Sequence, residues 1–351
     1  MSYVHTLDPF LIEIYNGFGI RWYGLAYLAG FVFGYFVVQY LAKKRVTPMT
    51  SEQVGDFVTW VAIGTLVGGR LGYVLFYSPD LMLSIDGAFP YWGLLKVNEG
   101  GMASHGGILG IMGAAFLYCR KYKIPLLHSL DMVVFGGSLG IFFGRIANYI
   151  NGELYGRMAP EGFFWRVKFP QEIYTWTSGS VEKLKSLVPA IENLKPPIDG
   201  TTWMGWVGRM GMDQSAKDAV HRTIDHLILA TESGNEAVIQ ALSVVLTPRY
   251  PSQLFQAVLE GLLVFLALVW IWRKPQKMGV VSGWFGVLYC VARIVGEQFR
   301  LPDAHIGYQL FGLTRGQWLS VALLVIAIGY LAYAYKRPSK KVGGWNNPVP
   351  I

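Results

Sequence analysis

The stretch "DMVVFGGSLGIFFGRIANYINGELYGR", residues 131–157, runs from an almost wholly apolar segment into a strongly polar one. At about 1.5 Å per residue, the part up to residue 150 is long enough to cross a bilayer as a helix. Arg145 lies inside that apolar run. One arginine near the centre of a bilayer costs about 2.5–3.5 kcal/mol. A membrane helix that carries it needs a compensating anion.

The composition of the chain is that of a membrane protein. Of its 351 residues, 53% are hydrophobic and 15% are charged, whereas soluble domains average about 25% charged. The net charge of +8 comes with basic clusters at 43–45, 120–123, 273–277 and 336–341, each of which follows an apolar run. Such clusters orient membrane helices. We therefore predict no nucleic-acid partner.

Seven apolar runs predict the fold. With seven spans all four basic clusters fall on one face, so the N-terminus is outside and the C-terminus is cytoplasmic. The predicted fold is an all-α integral membrane protein with seven transmembrane helices and a small extramembrane head subdomain. The runs lie at about 18–42, 55–77, 102–119, 129–150, 254–272, 279–299 and 315–335.

The same pattern predicts four regions. Residues 1–150 hold the first four spans with an outer loop at 78–104, and residues 151–252 form a periplasmic head. Residues 253–337 hold the last three spans, and 338–351 form a cytoplasmic tail. The N-terminus lacks the basic region of a signal peptide, so we expect the first span to be retained. Glycines recur four residues apart in several spans, which predicts closely packed helices.

Three arginines lie at similar depths in three spans. Arg293 has an acidic residue, Glu297, one turn away, whereas Arg70 and Arg145 have none within a turn. Guanidinium groups bind planar anions, phosphate above all. We therefore predict that the counter-ion is a lipid phosphate rather than a side chain. The site would lie near the outer face of the membrane.

His105 lies at the outer start of the third span, in "GGMASHGGILG". The positive end of a helix dipole favours neutral imidazole, which can accept a proton.

The two cysteines, Cys119 and Cys290, lie inside apolar runs and form no metal-binding pattern. We predict neither a metal nor a soluble cofactor.

At this point the motifs support a resemblance. "GRIANYINGELYGR" resembles the signature of the prolipoprotein diacylglyceryl transferase family. Five further segments occur in that family's order, and the resemblance as a whole extends over all seven spans. These segments are "IRWYGLAYLAGF", "GGRLGYVLFY", "GGMASHGG", "YPSQLFQAVLEG" and "ARIVGEQFRLPDA".

The resemblance implies a reaction and its partners. The family moves the diacylglyceryl group of phosphatidylglycerol to the lipobox cysteine of a prolipoprotein, next to its signal segment, in the bacterial inner membrane. The resemblance makes Arg145 and Arg293 catalytic as phosphate holders and His105 the candidate base, on the periplasmic side. The predicted substrate-binding residues are Tyr23, Arg70, Asn148, Asn151, Glu153, Gly156, Gln253, Tyr289 and Glu297.

The chain departs from the family pattern in two places. Tyr250, Phe255 and Gln256 stand where members often have His, Tyr and Glu, which removes the usual acid–base groups from this segment. Residues 176–246 are a candidate insertion in the head. Two other functions remain open from the residues alone, namely an anion or glycerol-phosphate transporter with an arginine-lined site and a non-catalytic lipid-binding scaffold.

Overall fold

A helix forms in each of the seven predicted apolar runs. The computed structural model describes residues 2–15, 18–85, 87, 91–96, 100–302 and 307–345. Within these residues the fifth run, Ser252–Trp272, combines α11 (Ser252–Gln256), a π-helical segment (Ala257–Leu263) and α12 (Val264–Trp272). The other six are α1 (Trp22–Lys43), α2 (Ser51–Tyr77), α3 (Ser104–Tyr122), α4 (Leu126–Ile150), α13 (Val280–Gly296) and α14 (Arg315–Lys336).

Five helices of the described residues are long and apolar enough to cross a membrane. They are α1, α2, α4, the combined run Ser252–Trp272 and α14. The chain is therefore a mostly helical, multi-pass membrane protein. The seven-span topology and its orientation remain predictions. With 17 residues α13 is shorter than these five helices, and α3 is not among the helices that are long and apolar enough to cross a membrane.

The first helix begins later than the predicted residue 18. Phe18–Arg21 instead forms strand β3, which pairs antiparallel with β2 (Phe10–Tyr15). At the N-terminus, β1 (Tyr3–Val4) pairs in parallel with β4 (Val167–Lys168). These short strands are the main departure from an all-α fold.

The chain divides into two compact units. The first comprises Met1–Tyr27, Phe142–Glu260 and Ala292–Leu319. Between residues 173 and 245 it contains six short helices, whose buried core includes Leu187, Trp203 and Leu227. They are α5 (Ile173–Gly179), α6 (Val181–Lys185), α7 (Val188–Ile191), α8 (Gly200–Arg209), α9 (Gln214–Glu232) and α10 (Glu236–Val245).

The second unit comprises Leu28–Ile141, Gly261–Val291 and Ser320–Ile351. Its glycines confirm the prediction of closely packed helices. A Cβ atom added to Gly68 of α2 would lie 2.4 Å from the carbonyl oxygen of Gly106 in α3. Near the C-terminus, β5 (Gln276–Lys277) pairs antiparallel with β6 (Lys341–Val342). Within the predicted tail, residues 346–351 lie outside the described residues.

Candidate active site

Two arginines of the first unit share one carboxylate. Arg145, near the end of α4, donates from Nε and Nη2 to Oε2 of Glu260, at 3.2 and 2.8 Å. Arg293, near the end of α13, donates from Nη1 to Oε1 of the same residue at 3.2 Å. Arg145 and Arg293, which belong to different helices, therefore converge on one side-chain carboxylate.

Glu260 corrects the prediction that the counter-ion is a lipid phosphate rather than a side chain. Its carboxylate is completely buried (0% exposed), whereas the side chains of Arg145 and Arg293 are 15% and 13% exposed. A buried charge is tolerated only when it is paired. The side-chain counter-ion is Glu260, and a phosphate remains a candidate ligand on the partly exposed side of the arginines.

A second carboxylate holds Arg293. Its Nη2 lies 3.1 Å from Oε2 of Glu297, which is the pair predicted from their i,i+4 spacing. The Thr314 hydroxyl donates to Oε1 of Glu297 at 3.2 Å. Gly316 approaches so closely that an added Cβ would lie 2.9 Å from the same oxygen. Arg293 is therefore fixed from two sides.

A polar network joins the start of α1 to the turn after α4. The Tyr23 hydroxyl donates to Oε1 of Glu153 and accepts from Nδ2 of Asn148. The same Asn148 amide donates to Oε1 of Glu153 at 2.9 Å. Gln253 donates from Nε2 to the backbone oxygen of Glu153 at 2.7 Å. Four predicted site residues thus form one connected group.

The turn after α4 is held by close backbone contacts. Gly152 has φ +65°, in the left-handed region that favours glycine. The Gly156 N–H donates to the Tyr250 carbonyl at 3.1 Å, and a Cβ on Gly156 would lie 2.4 Å from that oxygen. Arg249 donates to the carbonyl of Gly156 at 3.2 Å and pairs with buried Glu172 at 2.6 Å. The backbone contacts of Gly156 therefore leave no room for a side chain at that residue.

The arrangement can bind and polarise an anion. Two fixed guanidinium groups supply charge-assisted hydrogen bonds, which are about twice as strong as neutral ones. Donors fixed in advance stabilise charge that develops during a reaction. The tyrosine–asparagine–carboxylate network supplies further polar groups in the same unit. Such a site suits the displacement of a phosphate leaving group.

Comparison with known proteins identifies the family. The family model for prolipoprotein diacylglyceryl transferase matches residues 9–333. The chain belongs to this family. A phosphatidylglycerol–prolipoprotein diacylglyceryl transferase of Bdellovibrio bacteriovorus is 49% identical over 342 residues, 97% of each chain. Proteins of the same name from Idiomarina loihiensis and Neisseria gonorrhoeae are 35% and 34% identical, over 95% of this chain and 95% and 98% of their own.

His105 and Arg70, two of the predicted site residues, lie in α3 and α2 of the second unit. His105 is exposed in the first turn of α3. Arg70 is buried and donates to the carbonyls of Gly93, Leu94, Gly100 and Gly101, at distances of 2.6 to 3.1 Å. Its guanidinium thereby holds the backbone at residues 93–94 and 100–101, which precede α3.

Tyr289 and Asn151, two further predicted site residues of the transferase, lie on α13 and in the turn after α4. Tyr289 stacks on Phe285 one turn before Arg293 on α13, with ring centroids 5.8 Å apart. Asn151 lies in the turn after α4, where its buried Oδ1 has no hydrogen-bond partner among the described residues. The substrate-binding roles assigned to these residues, and to Arg70, remain predictions.

Sequence reasoning missed the role of Glu260 as counter-ion and did not predict the environment of Gln256. Glu260 is the one acidic residue in the apolar run 252–272, and an acidic residue within a membrane segment usually marks function. Gln256, one turn earlier, is completely buried, and neither polar atom of its amide has a partner within the described residues. The polar residues of that apolar run were the available signal.

Proposed function

We propose that this chain transfers the sn-1,2-diacylglyceryl group of phosphatidylglycerol to the lipobox cysteine thiol of prolipoproteins. The products are a thioether-linked lipid and glycerol phosphate, in the first step of bacterial lipoprotein maturation. The observation that carries the proposal is the shared carboxylate, which brings Arg145 and Arg293 from different helices within reach of one phosphate. The names of the relatives support the same reaction.

The proposed chemistry is an in-line displacement at carbon. The cysteine thiolate attacks the terminal glycerol carbon that carries the phosphate, a C–S bond forms, and the C–O bond to the phosphodiester oxygen breaks. The electron pair of that bond leaves with glycerol phosphate. Arg145 and Arg293 stabilise the negative charge that grows on the leaving group. His105 takes the thiol proton.

Deprotonation of the thiol and stabilisation of the leaving group contribute unequally to the rate. A thiol with a pKa near 8.5 is a few per cent thiolate at neutral pH, so complete deprotonation raises the nucleophile concentration only about thirtyfold. A preorganised donor at a developing anion is worth about 10²–10³ in rate. We therefore assign the larger effect to the arginines.

The proposed setting follows from the distribution of basic clusters. Seven spans cross the bacterial inner membrane with the N-terminus outside and the C-terminus in the cytoplasm. Residues 151–252 then form a head on the periplasmic side, where the lipobox of a translocated signal segment is accessible. The active site opens toward this side.

Purified protein with phosphatidylglycerol vesicles and a lipobox peptide tests the proposal. We expect equimolar release of glycerol phosphate and a diacylglyceryl mass gain on the peptide cysteine. A peptide with Ser in place of Cys and vesicles of phosphatidylcholine are the controls. Glycerol-phosphate flux into sealed liposomes without peptide modification would indicate a transporter instead, and lipid binding without either product would indicate a scaffold.

A further inference from the structure

Burial of the Glu260 carboxylate costs folding free energy. It belongs to the π-helical segment Ala257–Leu263, within a run of apolar residues, and it is completely buried. Segments of π-helix frequently occur at functional sites. A buried carboxylate destabilises the fold unless its oxygens are paired. The pairing partners of Glu260 therefore indicate what the carboxylate does.

Both oxygens of Glu260 are occupied by arginines of the proposed site. Oε2 accepts two hydrogen bonds from Arg145, and Oε1 accepts one from Arg293. Gly296 also packs against this carboxylate, since a Cβ there would lie 3.2 Å from Oε1. The carboxylate thus fixes the positions of two guanidinium groups that belong to different helices.

The three side chains differ in their exposure. Arg145 and Arg293 are 15% and 13% exposed, whereas Glu260 is 0% exposed. A ligand can reach the partly exposed arginines, whereas the completely buried carboxylate is out of its reach. Glu260 can therefore act on such a ligand only through the arginines.

We propose that Glu260 is a positioning residue for the transferase reaction, an inference that rests on the proposed function. It holds the two arginines so that both address one phosphate, and it does not contact the substrate. This role predicts opposite effects on binding and on turnover. Loss of the Glu260 charge leaves more positive potential for an anionic lipid, while loss of the fixed geometry weakens stabilisation of the leaving group.

The test compares Glu260→Gln with a matched control. Asp131 is also a buried carboxylate with both oxygens hydrogen-bonded, here to the Gly279 and Ser282 N–H groups at 2.7 Å, but it belongs to the second unit. Turnover is measured with phosphatidylglycerol and a lipobox peptide. Binding of phosphatidylglycerol without peptide is measured by native mass spectrometry, and folding is checked by the melting temperature.

We expect Glu260→Gln to lower kcat about 100-fold while phosphatidylglycerol binds as tightly as to the wild type or tighter. Asp131→Asn should lower the melting temperature and leave kcat within about twofold. A Glu260→Gln variant with kcat within tenfold of the wild type, or with weakened lipid binding, overturns the inference.

Glu260→Asp covers the case in which Glu260→Gln fails to fold. It keeps the charge but is one methylene shorter, so we expect an intermediate kcat with lipid binding retained. Full activity of Glu260→Asp, or a loss of lipid binding, would contradict a positioning role. A wild-type protein that binds phosphatidylglycerol but transfers nothing would refute the proposed function instead.

Discussion

Arg145 and Arg293 donate to different oxygens of one buried carboxylate, although they are far apart in the chain. Nη2 of Arg145 and Nη1 of Arg293 lie 2.8 and 3.2 Å from Oε2 and Oε1 of Glu260. Guanidinium groups bind phosphate as well as carboxylate, and the side chains of both arginines are partly exposed. This relationship is the basis of the proposed phosphate site.

The first prediction ranks the two proposed catalytic effects. With both substrates saturating, Arg145→Ala should lower turnover more than His105→Ala does, because stabilisation of the leaving phosphate outweighs removal of the thiol proton. We expect about 10²–10³-fold for the arginine and about thirtyfold for the histidine. Initial rates of glycerol-phosphate release measure both. The reverse ranking would show that proton removal limits the reaction.

The second prediction concerns the network of Tyr23, Asn148 and Glu153. Asn148→Asp replaces an amide that donates to Glu153 at 2.9 Å by a second carboxyl group. Two carboxylates this close cannot both stay ionised at low cost. We expect turnover relative to wild type to be lowest at pH 8 and to recover as the pH falls toward 5.5, where a shared proton restores a donor.

The control for this prediction is Asn193→Asp. Asn193 is exposed, and its side-chain amide donates to the carbonyl of Pro189, four residues earlier, at 2.7 Å. Its replacement should leave the ratio to wild type constant across the pH range. A constant ratio for Asn148→Asp as well would mean that the amide is not needed as a donor in this network.

The third prediction separates stability from function at Gln256. A buried amide without partners costs about 1–3 kcal/mol, so Gln256→Leu should raise the melting temperature of the lipid-free protein. Activity with phosphatidylglycerol should be retained, because a completely buried amide does not reach the substrate. Thermal melts and kcat/KM measure the two effects.

Gln317→Leu is the matched control for Gln256. The Gln317 amide is also buried, but it accepts from the Thr314 N–H at 3.0 Å and donates to the Ile294 carbonyl at 3.4 Å. Its loss should lower the melting temperature. If Gln256→Leu lowers the melting temperature as well, the Gln256 amide is paired in the lipid-free protein and the prediction is wrong.

The fourth prediction concerns acid stability. Burial lowers the pKa of His5 to about 4 from the ordinary value of 6.5, and its ring packs between Tyr149 and Phe169. Below pH 6.5 the unfolded chain binds a proton at His5, whereas the folded chain does not bind it until the pH falls to about 4. Stability should therefore fall by up to about 1.4 kcal/mol per pH unit across this window.

His5→Phe tests the acid effect, because it keeps an aromatic ring and removes the titration. Its melting temperature should fall less steeply than that of the wild type between pH 6.5 and 4.5. His226→Phe is the control, since His226 is exposed. Parallel curves for wild type and His5→Phe would show that another group causes the acid sensitivity.

Local sequence patterns predicted the helices but not which polar side chains of different helices contact one another. Apolar runs and glycine spacing depend on neighbours in the chain, so they could be predicted from sequence. Glu260 lies 115 residues from Arg145 and 33 from Arg293, and Tyr23 lies 130 residues from Glu153. No periodicity connects residues at such separations. The resemblance supplied Tyr23 and Glu153 as site residues, whereas only the fold showed that they are bonded.

A double-variant cycle on the two arginines tests the central claim most directly. Transfer rates are measured for Arg145→Gln, Arg293→Gln and the double variant, with phosphatidylglycerol and a lipobox peptide. Groups that act on one phosphate as a unit give strongly non-additive losses. We expect the double variant to be no more than about tenfold slower than the slower single variant. A double variant whose loss equals the product of the two single losses would contradict a shared phosphate.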